Sequence, residues 1–194
     1  MEMTSTRIVP APVDTVWAAL NDPAVLTECI PGCESIAADG ENAYLIALAA
    51  RIGPVAAKFA GRLQMSDIDA PRAYTLSFDG QGGSAGFARG EARVSLAPGE
   101  NASTTALSYV VKAQVGGKIA QIGSRLVDGA ARKLADDFFG RFAEVAAAKA
   151  TATPEPVPES QKPTAAGPPW YWVRYVAIAA LIVVIAYLLW QMKR

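Results

Sequence analysis

Hydrophobic residues in this chain recur at two different periods, and the point where one gives way to the other constrains the fold more than any other feature. In "KFAGRLQMSD", Phe59, Gly61, Leu63 and Met65 fall on one side of an extended chain. Tyr74, Leu76 and Phe78 do the same in "RAYTLSF", as do Thr105, Leu107, Tyr109, Val111, Ala113 and Val115 in "TTALSYVVKAQV". Such alternation makes strands with one buried face, hence an antiparallel sheet. Beyond Gly116-Gly117 the spacing lengthens. Ile119, Ile122, Leu126, Ala130, Leu134, Phe138 and Phe142 recur at three and four residues, which is one stripe of a long helix. Near the N-terminus, "APVDTVWAALND" puts Val13, Val16, Trp17 and Leu20 on a shorter helical face. Gly32, Gly40, Gly53, Gly80, Gly83 and Gly99 punctuate the extended runs between the helices. The expected class is α+β, in the order strand, two short helices, six strands and a long helix.

The junction "QVGGKIAQIGSRL" invites a phosphate-loop reading, because glycines that open a helix can cradle an anion. The spacing fails it. Such a loop needs G-x-x-x-x-G-K-[ST], whereas five residues separate Gly117 from Gly123 and Ser124-Arg125 follows, with no βαβ alternation before them. Gly116-Gly117 then ends a strand and lets a packing helix begin. Asp128 with Arg132, Lys133 with Asp137, and Asp137 with Arg141 stand at i,i+4 and read as a solvated face. Small residues are abundant where a core calls for large ones: Gly123, Gly129, Ala130 and Ala131 on the helix, and "IALAARIGPVAAKFAG" and "GGSAGFARGEA" in the strands. Glycine costs about 1 kcal/mol against alanine in a helix interior. Small residues that face each other either bring backbones close or leave space, and an apolar cavity between helix and sheet is the preferred of these two readings.

Composition excludes several functions. The 18 Lys and Arg balance 18 Asp and Glu, so no concentrated basic face marks a nucleic-acid binder. The chain has no histidine, and its two cysteines, Cys29 and Cys33 in "CIPGC", match neither a zinc pattern nor C-x-x-C. They read as small buried hydrophobes around a Pro-Gly turn. No signal-peptide pattern opens the chain, so the folded part, residues 1–149, is expected in the cytoplasm. Residues 150–169 hold six of the 13 prolines and form an expected linker, reaching about 60 Å at about 3.1 Å per residue. Residues 170–194 follow, with no charge between Tyr175 and Trp190. Trp170, Tyr171 and Trp172 at one end, and Tyr187 and Trp190 near the other, make the aromatic belts of a single membrane span, with Arg174 able to snorkel to headgroups.

"NDPAVLTECIPGCESI", "YTLSFDGQGGSAGFARGEARVSL" and "TTALSYVVKAQVGGKIAQIGSRLVDGAARKLADDFF" together resemble the CoxG family of aerobic carbon monoxide dehydrogenase, over about residues 1–147. That family belongs to the START-like (SRPBCC), helix-grip superfamily. The resemblance implies a curved antiparallel sheet wrapped around a long C-terminal helix, enclosing a hydrophobic pocket open at one end. It also implies a non-catalytic accessory component without a covalent cofactor, which links the molybdenum-copper dehydrogenase to the bacterial cytoplasmic membrane. The carried ligand would be a respiratory quinone, ubiquinone or menaquinone. The expected pocket wall is Phe59, Leu63, Met65, Tyr74, Leu76, Phe78, Phe87, Leu107, Tyr109, Val111, Ile122, Leu126 and Ala130, with Gly123 making room on the helix. Tyr74 and Tyr109 are the expected partners of a polar head, since buried phenols find hydrogen bonds. A ligand-free adaptor that recruits or helps assemble the dehydrogenase at the membrane is the alternative. It predicts a fully packed core and docking through Arg125, Arg132 and Arg141.

Overall fold

Strand β1 (Glu2–Val9) opens the chain, and a turn ending at Pro12 leads into α1 (Val13–Leu20) and α2 (Pro23–Cys29). The second helix begins where Asp22 caps it, its Oδ1 accepting the Ala24 amide at 3.0 Å with Pro23 in the first turn. Six strands follow: β2 (Cys33–Ala38), β3 (Ala43–Ile52), β4 (Val55–Asp69), β5 (Ala73–Gln81), β6 (Phe87–Pro98) and β7 (Thr105–Gly116), with one 3-10 turn at Gly83–Ala85. The chain ends its described part in α3 (Lys118–Gln121) and α4 (Ser124–Ala152). The structure, a computed structural model, describes residues 1–152. The remainder of the expected linker and the expected membrane span lie outside the described residues.

All seven strands form one antiparallel sheet in the order β1-β7-β6-β5-β4-β3-β2, so the first strand returns to pair with the last. The three runs of period-two residues lie in β4, β5 and β7, in matched register: Leu63 opposite Phe78, Met65 opposite Leu76, and Val94 opposite both Tyr74 and Tyr109. The sheet curls tightly where strands cross at glycine. A Cβ on Gly90 would stand 2.1 Å from the Lys112 carbonyl oxygen, so only glycine permits this close approach. The glycines of the strands thus follow the close-packing reading.

Helices α1 and α2 bridge the two sheet edges and meet the C-terminal half of α4, where the densest core lies. Val9, Val16, Ala19, Val25, Cys29, Leu107, Phe142 and Ala146 are all buried there. Each large apolar side chain so buried is worth about 1.5–3 kcal/mol. Lys149 in the last turn of α4 reaches Asp22 at 3.3 Å and ties that helix to the cap of α2.

The expected helical stripe from Ile119 to Phe142 is interrupted. Gly123, at φ +96°, cannot continue a right-handed helix, so α3 ends and α4 restarts in a different phase. Val127 becomes buried and Leu126 lies 52% exposed. Leu134, Phe138 and Phe142 keep their inward face. Of the three expected i,i+4 pairs only Lys133–Asp137 forms, at 2.9 Å; Asp136 pairs instead with Arg7 of β1.

Candidate functional site

The N-terminal half of α4 stands off the sheet rather than packing on it, and two apolar cavities fill the gap. The larger, about 370 Å³, lies between the middle of the sheet, the α1–α2 end and the helix. Met65, Tyr74, Leu76, Val94, Tyr109 and Val111 come from the sheet, and Leu134, Ala135, Phe138 and Phe139 from α4. The smaller, about 250 Å³, continues toward the β3–β4 hairpin and is walled by Ile46, Ala50, Ile52, Phe59, Phe78 and Ile119. Leu48, Leu63 and Leu134 line both, which makes them two lobes of one space. Alanines at 50, 60 and 88 leave the smaller lobe open, as the cavity reading of the small residues expects.

The two lobes differ in chemistry. Polar side chains reach the larger lobe from Asn21, Tyr44, Tyr74 and Tyr109, whereas the smaller is walled almost wholly by hydrocarbon. Burial pushes the Tyr74 phenol up to about 12, so it stays a neutral donor. Its ring meets Trp17 edge-on at 5.7 Å, which fixes its direction. Tyr109 stacks on Phe139 at 5.1 Å. A molecule with a long apolar tail and a compact head with acceptor oxygens matches this division. Cavities of this size and lining are ordinary for small-molecule sites.

Eight of the fourteen expected wall positions line these lobes. Leu63 lies between them, Met65, Tyr74, Leu76, Tyr109 and Val111 face the larger, and Phe59 and Phe78 the smaller. The other six lie elsewhere. Leu107 is 1% exposed in the dense core. Phe87 covers Gly116, with the Arg89 guanidinium 5.5 Å from its ring centre. Ile122 and Leu126 flank Gly53 of the β3–β4 hairpin, and Ala130 joins Leu126 in a separate shallow groove with Arg51 and Arg125. Gly123 makes no room on a helix: it is the break between two helices, and a side chain there would meet nothing within 4 Å. The cause of these shifts is the phase change at Gly123, which turns the first turns of α4 away from the lobes.

The α4 positions that do line them, Leu134 and Phe138, belong to the stripe visible in the sequence. Phe139 and Ala135 adjoin it and carry no signal of their own. Tyr44 and Leu48 of β3 were legible only as a strand of small residues. Cys29 is buried and Cys33 partly so, both as free thiols that burial raises above the ordinary value. Among the described residues no group of three or more His, Cys, Asp or Glu could hold a metal ion.

A family model for CoxG, an accessory component of carbon monoxide dehydrogenase, matches residues 6–147. Among solved structures, a conserved protein from Geobacillus kaustophilus is 35% identical with a TM-score of 0.73, over 77% of this chain and 97% of that one. That whole protein corresponds to the sheet-and-helix domain alone, so the domain is a folding unit in itself. A START superfamily protein from Mycobacterium smegmatis is 14% identical with a TM-score of 0.53, over 77% of this chain and 97% of that one. The Zhui aromatase/cyclase from Streptomyces sp. R1128 is also 14% identical, with a TM-score of 0.55 over 75% and 93%. At such identities these last two share the fold and no more. No curated protein matches the chain. With a curved antiparallel sheet gripping one long C-terminal helix, and a family match across the whole of that domain, the chain belongs to the CoxG family of carbon monoxide dehydrogenase.

Proposed function

We propose that this protein is a membrane-tethered, non-catalytic carrier of a respiratory quinone, ubiquinone or menaquinone, for an aerobic molybdenum-copper carbon monoxide dehydrogenase. The observation that supports it is the two-lobed apolar cavity, with phenols in one lobe and hydrocarbon in the other. An enzyme in water that reduces a bilayer-soluble acceptor faces a transfer problem. Each CH₂ of an isoprenoid tail brought into water costs about 0.8 kcal/mol, so a tail leaves the bilayer only into another apolar enclosure. Enclosure beneath α4 provides it. In the sequence, the proline-rich linker and the apolar segment 170–194 would hold the carrier near the bilayer at a raised effective concentration. General acid-base chemistry calls for carboxylates or histidine directed into the site. The lobes are lined instead by aliphatic and aromatic side chains.

The test is native mass spectrometry of residues 1–152 produced in quinone-containing bacteria, with organic extraction of what co-purifies. A near-stoichiometric quinone is the expected result. A domain that arrives empty, takes up no added quinone, and still binds the dehydrogenase would replace the carrier with the adaptor.

A further inference from the structure

The larger lobe is closed on one side by strand β1, and β1 is unusual for a wall strand. Its inward positions are Met3, Ser5, Arg7 and Val9, two of them polar, while the β7 residues opposite Ser5 and Arg7 are Tyr109 and Leu107 of the core. A guanidinium turned toward an apolar interior needs partners to offset its desolvation. Arg7 has one, an ion pair with Asp136 of α4, and its guanidinium carbon lies 6.0 Å from the centre of the Phe139 ring. Its Nε is enclosed and has no hydrogen-bond partner among the described residues.

These groups border a polar recess of about 150 Å³ between β1 and α4, onto which Arg132 also opens. Two arginines there face one carboxylate, Asp136, so the recess favours electron-rich oxygen over a cationic group. Tyr109 and Met3 line both this recess and the larger apolar lobe. Tyr109 is therefore the partition between hydrocarbon and charge, held in place by its stack on Phe139.

The geometry points to this recess as the subsite that reads the ligand's head: an acceptor oxygen, held by the Tyr109 hydroxyl and the Arg7 guanidinium, while the tail extends into the apolar lobes. The inference rests on the carrier reading and adds its determinant of specificity. Apolar volume alone admits any hydrocarbon; an enclosed donor that stays unpaired without an acceptor discriminates against those that lack one. Arg7 and Tyr109 act by contact with the ligand, and Asp136 positions Arg7.

Two probes separate the outcomes, titrated into delipidated residues 1–152: decylubiquinone, which has carbonyl oxygens, and N-phenyl-1-naphthylamine, which has none. Tyr109→Phe and Arg7→Gln should each weaken decylubiquinone about tenfold or more, as loss of a buried hydrogen bond does, and leave the naphthylamine nearly unchanged. Asp136→Asn removes the same ion pair but keeps Arg7, and should hold decylubiquinone at least as tightly as the unaltered domain. Equal weakening of both probes, or an Asp136→Asn loss that matches Arg7→Gln, would show a packing role and overturn the subsite. Unchanged decylubiquinone affinity in Tyr109→Phe and Arg7→Gln would also overturn it while leaving the carrier intact. Failure of the unaltered domain to bind either probe would remove both.

Discussion

Tyr74 shows how one residue reports on its surroundings. Only 7% exposed on the wall of the larger lobe, its phenol ionises near 12 because water is kept from the charged form. The folded state therefore holds this proton more tightly than the unfolded chain, whose ordinary value is 10.0. Below pH 10 the contribution to stability is complete, and it is lost as pH rises through 10 toward 12. Unfolding free energy should fall by about 2–3 kcal/mol across that window from this group. Tyr74→Phe should flatten that part of the slope, which urea denaturation at a series of pH values would measure. An equal slope in both proteins would mean the phenol is hydrated. Spacing from Leu76 and Phe78 was enough to place Tyr74 on an inward face. It could not show that this face borders a cavity, because a packed core and a cavity wall have the same alternation.

Among the elements, two glycines that look alike in the sequence do different work. Gly123 takes φ +96° with no atom near its missing side chain, so Gly123→Ala should cost only the backbone strain, about 1–2 kcal/mol, and leave ligand content unchanged. Gly90 has room for nothing: a methyl there would collide with the Lys112 carbonyl, and the sheet would have to flatten. Gly90→Ala should cost about 3 kcal/mol or more and widen or close the lobes, seen as a lower urea midpoint together with lost ligand. Equal costs in the two variants would refute the assigned roles. The long helix was legible from its stripe, and so were the strands from theirs. The break at Gly123 was not, since three- and four-residue spacing persists across it and only the backbone angle reveals the change of phase.

At the scale of the whole molecule, the sheet and α4 form a container whose space is set by small residues on both sides. Ala135 of α4 and Ala92 of β6 face the larger lobe, and Ala88 the smaller. Ala135→Phe should lower the affinity for decylubiquinone about tenfold or more while the domain stays folded, because a ring in that lobe competes with the ligand. Ala88→Phe should spare short-tailed quinones and exclude long-tailed ones, read from the chain lengths that co-purify. Loss of all tail lengths alike would mean that the smaller lobe is not where the tail goes. The class of fold, the number and order of its elements, the lack of a metal-binding pattern and the separate linker and apolar segments all follow from local order along the chain. Periodicity, composition and spacing are local quantities, and each constrains how its own stretch is buried. What a buried face is buried against is a long-range matter. Arg7 meets Asp136 across 129 positions of sequence, and six expected wall residues turned elsewhere once α4 restarted in a new phase. The cavity, its two lobes and its polar recess exist only where the curl of the sheet and the stand-off of the helix fail to cancel. No residue type along the chain encodes that gap.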